Sequence, residues 1–276
     1  MTGRSARDDL GLAVAVPREV RRIVSIVPSL TETVASSGGA DRLVGITDWC
    51  THPVEEVGGL NRVGGTKNPD VAAIVALRPD LVVANEEENR PSDLDALRAA
   101  GLAVWVTAPE TVSAAVTSLG RLLAVCGLAD GGRGWYRDVV GHWPVVEPAA
   151  DPAVVRHRAV IFIWRRPWMV LGRSTFAGDL LGRLGVDNVY ADHDDRYPAV
   201  GLDEVRQRGI DLVVLPDEPY QFSREDGPEA FADWDVPVAL VSGRHLTWYG
   251  PSLAEARSVL TTQLAGAAPG VSSGQR

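Results

Sequence analysis

The stretch "ITDWCTHPVEEV", residues 46–57, sets Trp49, Cys50 and His52 within four positions, just ahead of Pro53. A thiol next to an imidazole supports two kinds of chemistry. Both groups ligate zinc and other borderline metals, but a closed site takes about four ligands, so this pair needs help. Glu86, Glu87 and Glu88 of "ANEEENR" are carboxylates that could complete the set. Alternatively, Cys50 is a nucleophile, His52 its base and Glu87 the carboxylate that orients the base. Residues two apart in a loop need a particular bend before sulfur meets ring nitrogen, and spacing alone does not supply one. The plainer reading is a small buried thiol and a histidine held by a backbone carbonyl. All three readings stay open here.

Other short stretches add binding chemistry. In "GGTKNPD", Lys67 and Asn68 precede an expected helix start, where exposed amides and the helix dipole favour an anion. Asn89 and Arg90 follow the three glutamates. "IWRRPWMV" sets Arg165 and Arg166 beside Trp164 and Trp168, a combination that binds carboxylate or phosphate while stacking a plane. "PDEPYQF" supplies Glu218, Tyr220 and Phe222, and "SGRHLTWYG" supplies His245, Trp248 and Tyr249. An apolar ligand among so many charges would leave them desolvated and unpaired, at several kcal/mol each. The expected ligand is therefore small, polar and planar or ring-containing, with carboxylate, phosphate or amide groups.

These residues need elements that bring them together. "RRIVSIV", "RLVGIT", "DLVVAN" and "LAVWVT" read as short buried strands. Helical patterns lie between them. One has Ser29 and Glu32 in a capping-box spacing with Gly38 and Gly39 as the stop, and one starts near Asn68. The rhythm restarts with "RAVIFIW", "IDLVVLP" and "VPVALVSG". Strands alternating with helices of about ten residues imply right-handed crossovers and mainly parallel sheets. The expected organisation is an N-terminal extension (1–20), an N-terminal α/β lobe (21–110), a helical segment (111–152), a C-terminal α/β lobe (153–266) and a disordered tail (267–276). The helical segment contains "ADGGRGW", whose glycines either break the helix or delay its start to near Arg133.

The chain carries 27 basic and 36 acidic residues, a net charge of −9, which argues against nucleic acid or an anionic membrane as partner. No segment approaches the roughly 18 apolar residues of a membrane span. Near the start, Asp8 and Asp9 precede only "LGLAVAV" before Pro17, unlike the basic start and longer apolar core of a secretory leader. The expectation is a cytoplasmic protein with Cys50 and Cys126 as free thiols.

The blocks "RRIVSIVPSLTETV", "LVGIT", "GGTKNPDVAAIVALRPDLVVAN", "RAVIFIWRRPWMVLG", "LGVDNVYAD", "YPAVGLDEV" and "IDLVVLP", in this order from Arg21 to Leu264, resemble the class III substrate-binding proteins. These are the helical-backbone metal receptors, among them vitamin B12- and ferric-siderophore-binding components of bacterial ABC importers; the B12 branch is the nearest in pattern. The resemblance implies two Rossmann-like lobes joined by a long helix, with ligand held in the cleft between them. It implies Trp49 and Tyr197 as the aromatics against a corrin ring, and allows His52 as a lower ligand to cobalt. Importer components dock on their permease through one glutamate per lobe. Here those positions hold Ala72 and Asp203, which puts permease docking in doubt. The leading expectation is a ligand-binding protein for cobalamin, another corrinoid or a related metal chelate. The alternatives are an enzyme using Cys50 and His52, with or without a metal, and a true importer component.

Overall fold

The computed structural model describes residues 4–144 and 156–267. The expected Pro/Ala-rich joint "VEPAADPAV" and the tail beyond 267 lie outside them. The chain divides into two compact units: residues up to Pro109 with Ser113–Trp143 and Tyr249–Pro251, and Glu110–Val112 with Pro144–Trp248 and the chain from Ser252.

Unit 1 opens with a hairpin, β1 (Arg4–Arg7) and β2 (Ala13–Val16), where the sequence suggested only an extension. Alternation explains it: Val14 and Val16 are buried while Ala13 and Ala15 are exposed, the period of two of a one-faced strand. Asp9 fastens the hairpin. Its carboxylate accepts from the Ala108 amide at 3.0 Å and the Ser118 hydroxyl, and pairs with Arg121 at 2.7 Å.

The sheet of unit 1 contains β3 (Ile23–Ser25), β4 (Leu43–Ile46), β7 (Leu81–Asn85) and β8 (Val104–Thr107) in the order β4-β3-β7-β8, all parallel. Between β4 and β7 lie α2 (Val54–Val57), the two-residue strands β5 (Gly64–Gly65) and β6 (Asn68–Pro69), and α3 (Val71–Ala76). All five residues of β7 are buried, as expected for a strand covered on both faces. Each fully buried valine or leucine there contributes about 1.5–3 kcal/mol. Packed around it are Ile26, Ile74, Leu97 and Val106, with Leu97 on α4 (Pro91–Ala99).

Two local expectations are corrected. Helix α1 (Pro28–Val34) begins one residue before Ser29, with Val27 at its cap position; Ser29 and Glu32 are buried in its body and form no capping box. Asp70, not Asn68, caps α3, through a bond from the Ala73 amide at 2.9 Å. Asp70 wins because the β5–β6 turn holds Asn68 in extended pairing with Gly65.

The expected long helix is two helices, α5 (Val112–Cys126) and α6 (Arg133–His142), both grouped with unit 1 apart from Val112. The glycines at the break have a packing reason. A side chain at Gly131 would collide with the Ser37 carbonyl, and one at Gly132 with Leu123.

Unit 2 contains β9 (His157–Arg165), β10 (Trp168–Val170), β11 (Val186–Asn188), β12 (Leu212–Pro216) and β13 (Val238–Val241). The order is β10-β9-β12-β13; β12 runs parallel to both neighbours, β11 pairs parallel with β9, and only β10 is antiparallel. Helices α7 (Phe176–Arg183), α8 (Leu202–Arg206), α9 (Gly243–Thr247) and α10 (Leu253–Ala265) complete the unit. Its core is aromatic: Phe162, Phe222 and Phe231 pack with Trp168, whose ring lies 6.1 Å from that of Phe222, nearly parallel. Among the described residues, no helix is long and apolar enough to cross a membrane.

Candidate functional site

In each unit the residues singled out by sequence sit mostly on loops after the carboxyl ends of parallel strands, where backbone groups are free of the sheet.

In unit 1, the loop after β4 carries Trp49, Cys50 and His52. Trp49 stands out at 66% exposed, with its indole nitrogen 3.5 Å from the space a side chain on Gly65 would take. The ring therefore rests against a glycine and turns surface to solvent. Cys50 is the opposite case. It is buried, its sulfur 3.0 Å from the Thr31 hydroxyl and 3.1 Å from that of Thr47. Burial pushes this thiol up, against the opposing pull of the two hydroxyls and Arg62. A protonated, enclosed sulfur is neither an accessible nucleophile nor a ready ligand, so the catalytic and metal readings of Cys50 are corrected. The His52 Nδ1 lies 3.0 Å from the Thr51 hydroxyl. Among the described residues, no three His, Cys, Asp or Glu side chains are grouped to hold a metal ion.

Arg62 was not anticipated, yet it holds the loop's shape. Its guanidinium donates to the carbonyls of Thr47 at 2.7 Å, Cys50 at 2.9 Å and Val57 at 3.2 Å.

Lys67 lies in the β5–β6 turn rather than at a helix start, and its ammonium donates to the Glu87 carbonyl. Since α3 begins only at Val71, the anion site expected from Lys67 and Asn68 at a helix N-terminus does not form. Glu86 and Arg90 are exposed and Glu87 half-buried on the loop after β7. Asn89, expected to touch ligand, is buried instead: its side chain accepts from the Asn85 amide and donates to the carbonyls of Ile26 and Thr66. The three loops of unit 1 are thus stitched into one face by Lys67, Asn89 and Arg62.

Tyr249, also expected at a ligand, is buried in unit 1 at 6% exposure. Burial pushes its phenol far above the ordinary range. Its hydroxyl lies 2.7 Å from both Asn85 Nδ2 and the Thr107 hydroxyl, so it is occupied by protein.

In unit 2, Trp164 ends β9 at 41% exposure with Tyr220 edge-on at 5.5 Å. Arg165 and Arg166 diverge. Arg165 is mostly covered, ion-paired with Asp226 and Glu229, and 5.3 Å over the Trp168 ring. The arginine beside Glu229 and the Gly227 amide outweigh burial, the largest influence, and hold that carboxyl below its usual range. Arg166 at the hairpin tip is exposed, with no such partner among the described residues. The sequence treated the two arginines as equals; only Arg166 is available to an incoming anion. Trp168 is half-buried and packs against the aromatic core of unit 2. Trp248 is buried and donates to the Glu218 carboxylate at 3.0 Å, so these two candidates satisfy each other. Tyr197 is half-buried on the segment between β11 and α8, which lies beside β10, the Val170 amide bonding to the Pro198 carbonyl at 3.1 Å.

Unit 2 also holds a cavity of about 400 Å³ beside α7 and β11, lined by Glu110, Arg173, Thr175, Asp179 and Asn188 among others. None of the residues expected from sequence lines it.

What remains for a ligand is a set of exposed flat rings with the exposed guanidiniums of Arg90 and Arg166, carried on strand-tip loops. Two α/β units with parallel sheets and ligand-type loops at the strand ends define the substrate-binding protein class. Residues 23–236 match the family described as periplasmic binding protein, and the chain belongs to that family. It is 23% identical over 268 residues to the vitamin B12-binding protein of Pectobacterium carotovorum, covering 95% of this chain and 93% of that protein. It is 27% identical over 214 residues to the cobalamin-binding protein of Halobacterium salinarum, covering 75% of this chain and 57% of that one. Among solved structures, it superposes on the periplasmic vitamin B12 binding protein BtuF of Vibrio cholerae with a TM-score of 0.74 at 19% identity, covering 89% and 97% of the two chains. The periplasmic heme-binding protein RhuT of Roseiflexus sp. RS-1 gives 0.75 at 21% identity, covering 90% and 98%.

Proposed function

We propose that this protein binds a planar metal chelate, a corrinoid or a haem, on its strand-tip loops. The observation that carries the reading is Trp49: an indole two-thirds exposed on a loop of a fold that its relatives use for vitamin B12 and haem. A large ring left in water costs free energy unless it has a partner, and a flat macrocycle is the partner that covers it best. Trp164 and Tyr220 offer a second aromatic surface, and Arg166 an anion contact suited to a carboxylate-bearing periphery. Since no three protein ligands gather around a metal among the described residues, the metal is expected to arrive already chelated. Titration of the purified protein with cyanocobalamin and haemin tests this. Absence of any absorbance change or tryptophan quenching at micromolar ligand would refute it.

We also propose that the protein works in the cytoplasm, without importer docking. Cys50 and Cys126 support the location, because two unpaired thiols suit a reducing compartment. For docking, the exposed residues at the two expected carboxylate positions are Ala72 and Asp203, so one of the pair is lost. Cell fractionation tests the first point. For the second, co-purification with a permease, above all one lost in Asp203→Ala, would overturn the proposal.

A further inference from the structure

Tyr249 occupies an unusual place. It comes from late in the chain, yet with Gly250 and Pro251 it belongs to unit 1. The segment lies close against α1, since a side chain at Gly250 would meet the Thr33 hydroxyl at 2.8 Å and the Ser29 carbonyl at 3.2 Å.

The bonds that join its phenol to Thr107 and Asn85 fit one self-consistent direction. The Thr107 hydroxyl has a single proton, which it donates to the Ala84 carbonyl at 3.0 Å. In its 2.7 Å contact with Tyr249 it must therefore accept, which uses the phenol proton. The phenol oxygen then accepts from Asn85 Nδ2 at 2.7 Å. Asn85 Nδ2 spends its other proton on the Thr107 carbonyl at 2.9 Å. With both amide protons placed, Asn85 Oδ1 must face the other way, where it accepts the amides of Glu87 and Glu88, each at 2.9 Å. An asparagine amide is nearly symmetric in shape, so its orientation is set by its partners. Here the Thr107 carbonyl and Tyr249 share the Nδ2 side, and Tyr249 supplies its shorter bond.

We infer that Tyr249 is a positioning residue: together with the Thr107 carbonyl it anchors the Asn85 amide, and through it the first turn of the loop Glu86–Arg90, the strand-tip loop that presents Glu86 and Arg90. This rests on the proposed function, in which that loop borders the ligand. The phenol touches no ligand itself. It acts through one side chain and two backbone amides, and its burial keeps it a hydrogen-bond donor across the working pH range.

Tyr249→Phe keeps the ring and removes the hydroxyl. Hydrogen exchange should accelerate about 10-fold or more at the Glu87 and Glu88 amides, while Val82 and Val83 within β7 exchange as before. Affinity for haemin and for cyanocobalamin should weaken about 10-fold, by roughly 1.4 kcal/mol. Unchanged exchange at Glu87 and Glu88 overturns the inference. So does accelerated exchange with unaltered affinity in a protein that binds either probe. If the wild type binds neither probe while the exchange effect is present, the positioning geometry stands and the binding reading fails. Should Tyr249→Phe not fold, Thr107→Val removes the acceptor of the phenol proton and should loosen the same two amides. Thr107→Ser, which restores the hydroxyl, should return them to wild-type rates; a lack of rescue counts against the relay.

Discussion

Replacing Trp49 with alanine separates ligand binding from folding, because the side chain contributes so little to the interior. With 66% of its surface in solvent, its loss should change unfolding free energy by no more than about 0.5 kcal/mol. The effect on binding is larger. An indole presents up to about 250 Å², so roughly 160 Å² is free, and a flat ligand lying on one face covers about half of that. At ~25 cal/mol per Å², the contact is worth about 2 kcal/mol, a loss of ~30-fold in Kd. The assay is a haemin and cyanocobalamin titration followed by absorbance, which stays readable when a tryptophan is removed, run alongside thermal unfolding of the apo protein. Trp49→Phe should recover most of the lost affinity, since a smaller ring still offers a face. A Kd within twofold of wild type for Trp49→Ala, in a protein that binds either chelate, would show that the exposed indole is not the platform. A large drop in melting temperature would show that the loop depends on the ring for its fold.

Arg166→Ala should weaken haemin, which carries two carboxylates, by about 5–10-fold and leave cyanocobalamin nearly unaffected; equal losses for both would contradict an anion contact. Arg165→Ala should instead cost stability, about 1 kcal/mol, because its partners Asp226 and Glu229 are about half exposed and water screens them. For Asp9→Ala, loss of the bonds to Ala108 and Ser118 and the pair with Arg121 should lower unit 1 stability by about 2–4 kcal/mol in urea unfolding. Burial raises Cys50 and pushes Cys126 up to about 12, so neither thiol should react with a disulfide reagent at pH 8 until denaturant is added. Burial, helped by Arg244 and opposed by Glu255 and Asp217, holds His245 below its ordinary 6.5. As pH falls through that value the unfolded chain takes up the proton first, so this contribution is present above it and lost below it. A urea midpoint that falls on acidification below pH 6.5, and falls less in His245→Gln, is the expected result.

The alternation of strands and helices was legible because both periods are local. "LVVAN" and "LVVLP" are continuous apolar runs, and the structure buries all five residues of each. The family pattern was legible for the same reason, as short blocks in a set order. Where two neighbouring residues could serve one local role, prediction slipped: Asn68 against Asp70 as a cap, Ser29 against Val27. The hairpin at residues 4–16 was missed although "AVAV" alternates, because the stretch is also short and apolar near the start of the chain. Asn85 had a signal, a polar residue closing an apolar strand just before "EEEN", but its role in shaping that loop needed the Thr107 and Tyr249 hydroxyls to be seen.

Residue type and order therefore determined the α/β class, the parallel sheets and the loops on which chemistry could reside. Tertiary structure alone decided which members of those loops face water. Trp49 is open while Trp168 packs half-buried against an aromatic core, Arg166 is exposed while Arg165 is paired with two carboxylates 61 and 64 residues downstream, and Tyr249 lies in unit 1. Exposure and pairing depend on atoms distant in sequence, and a neighbouring residue of the same chemical type carries no information about them.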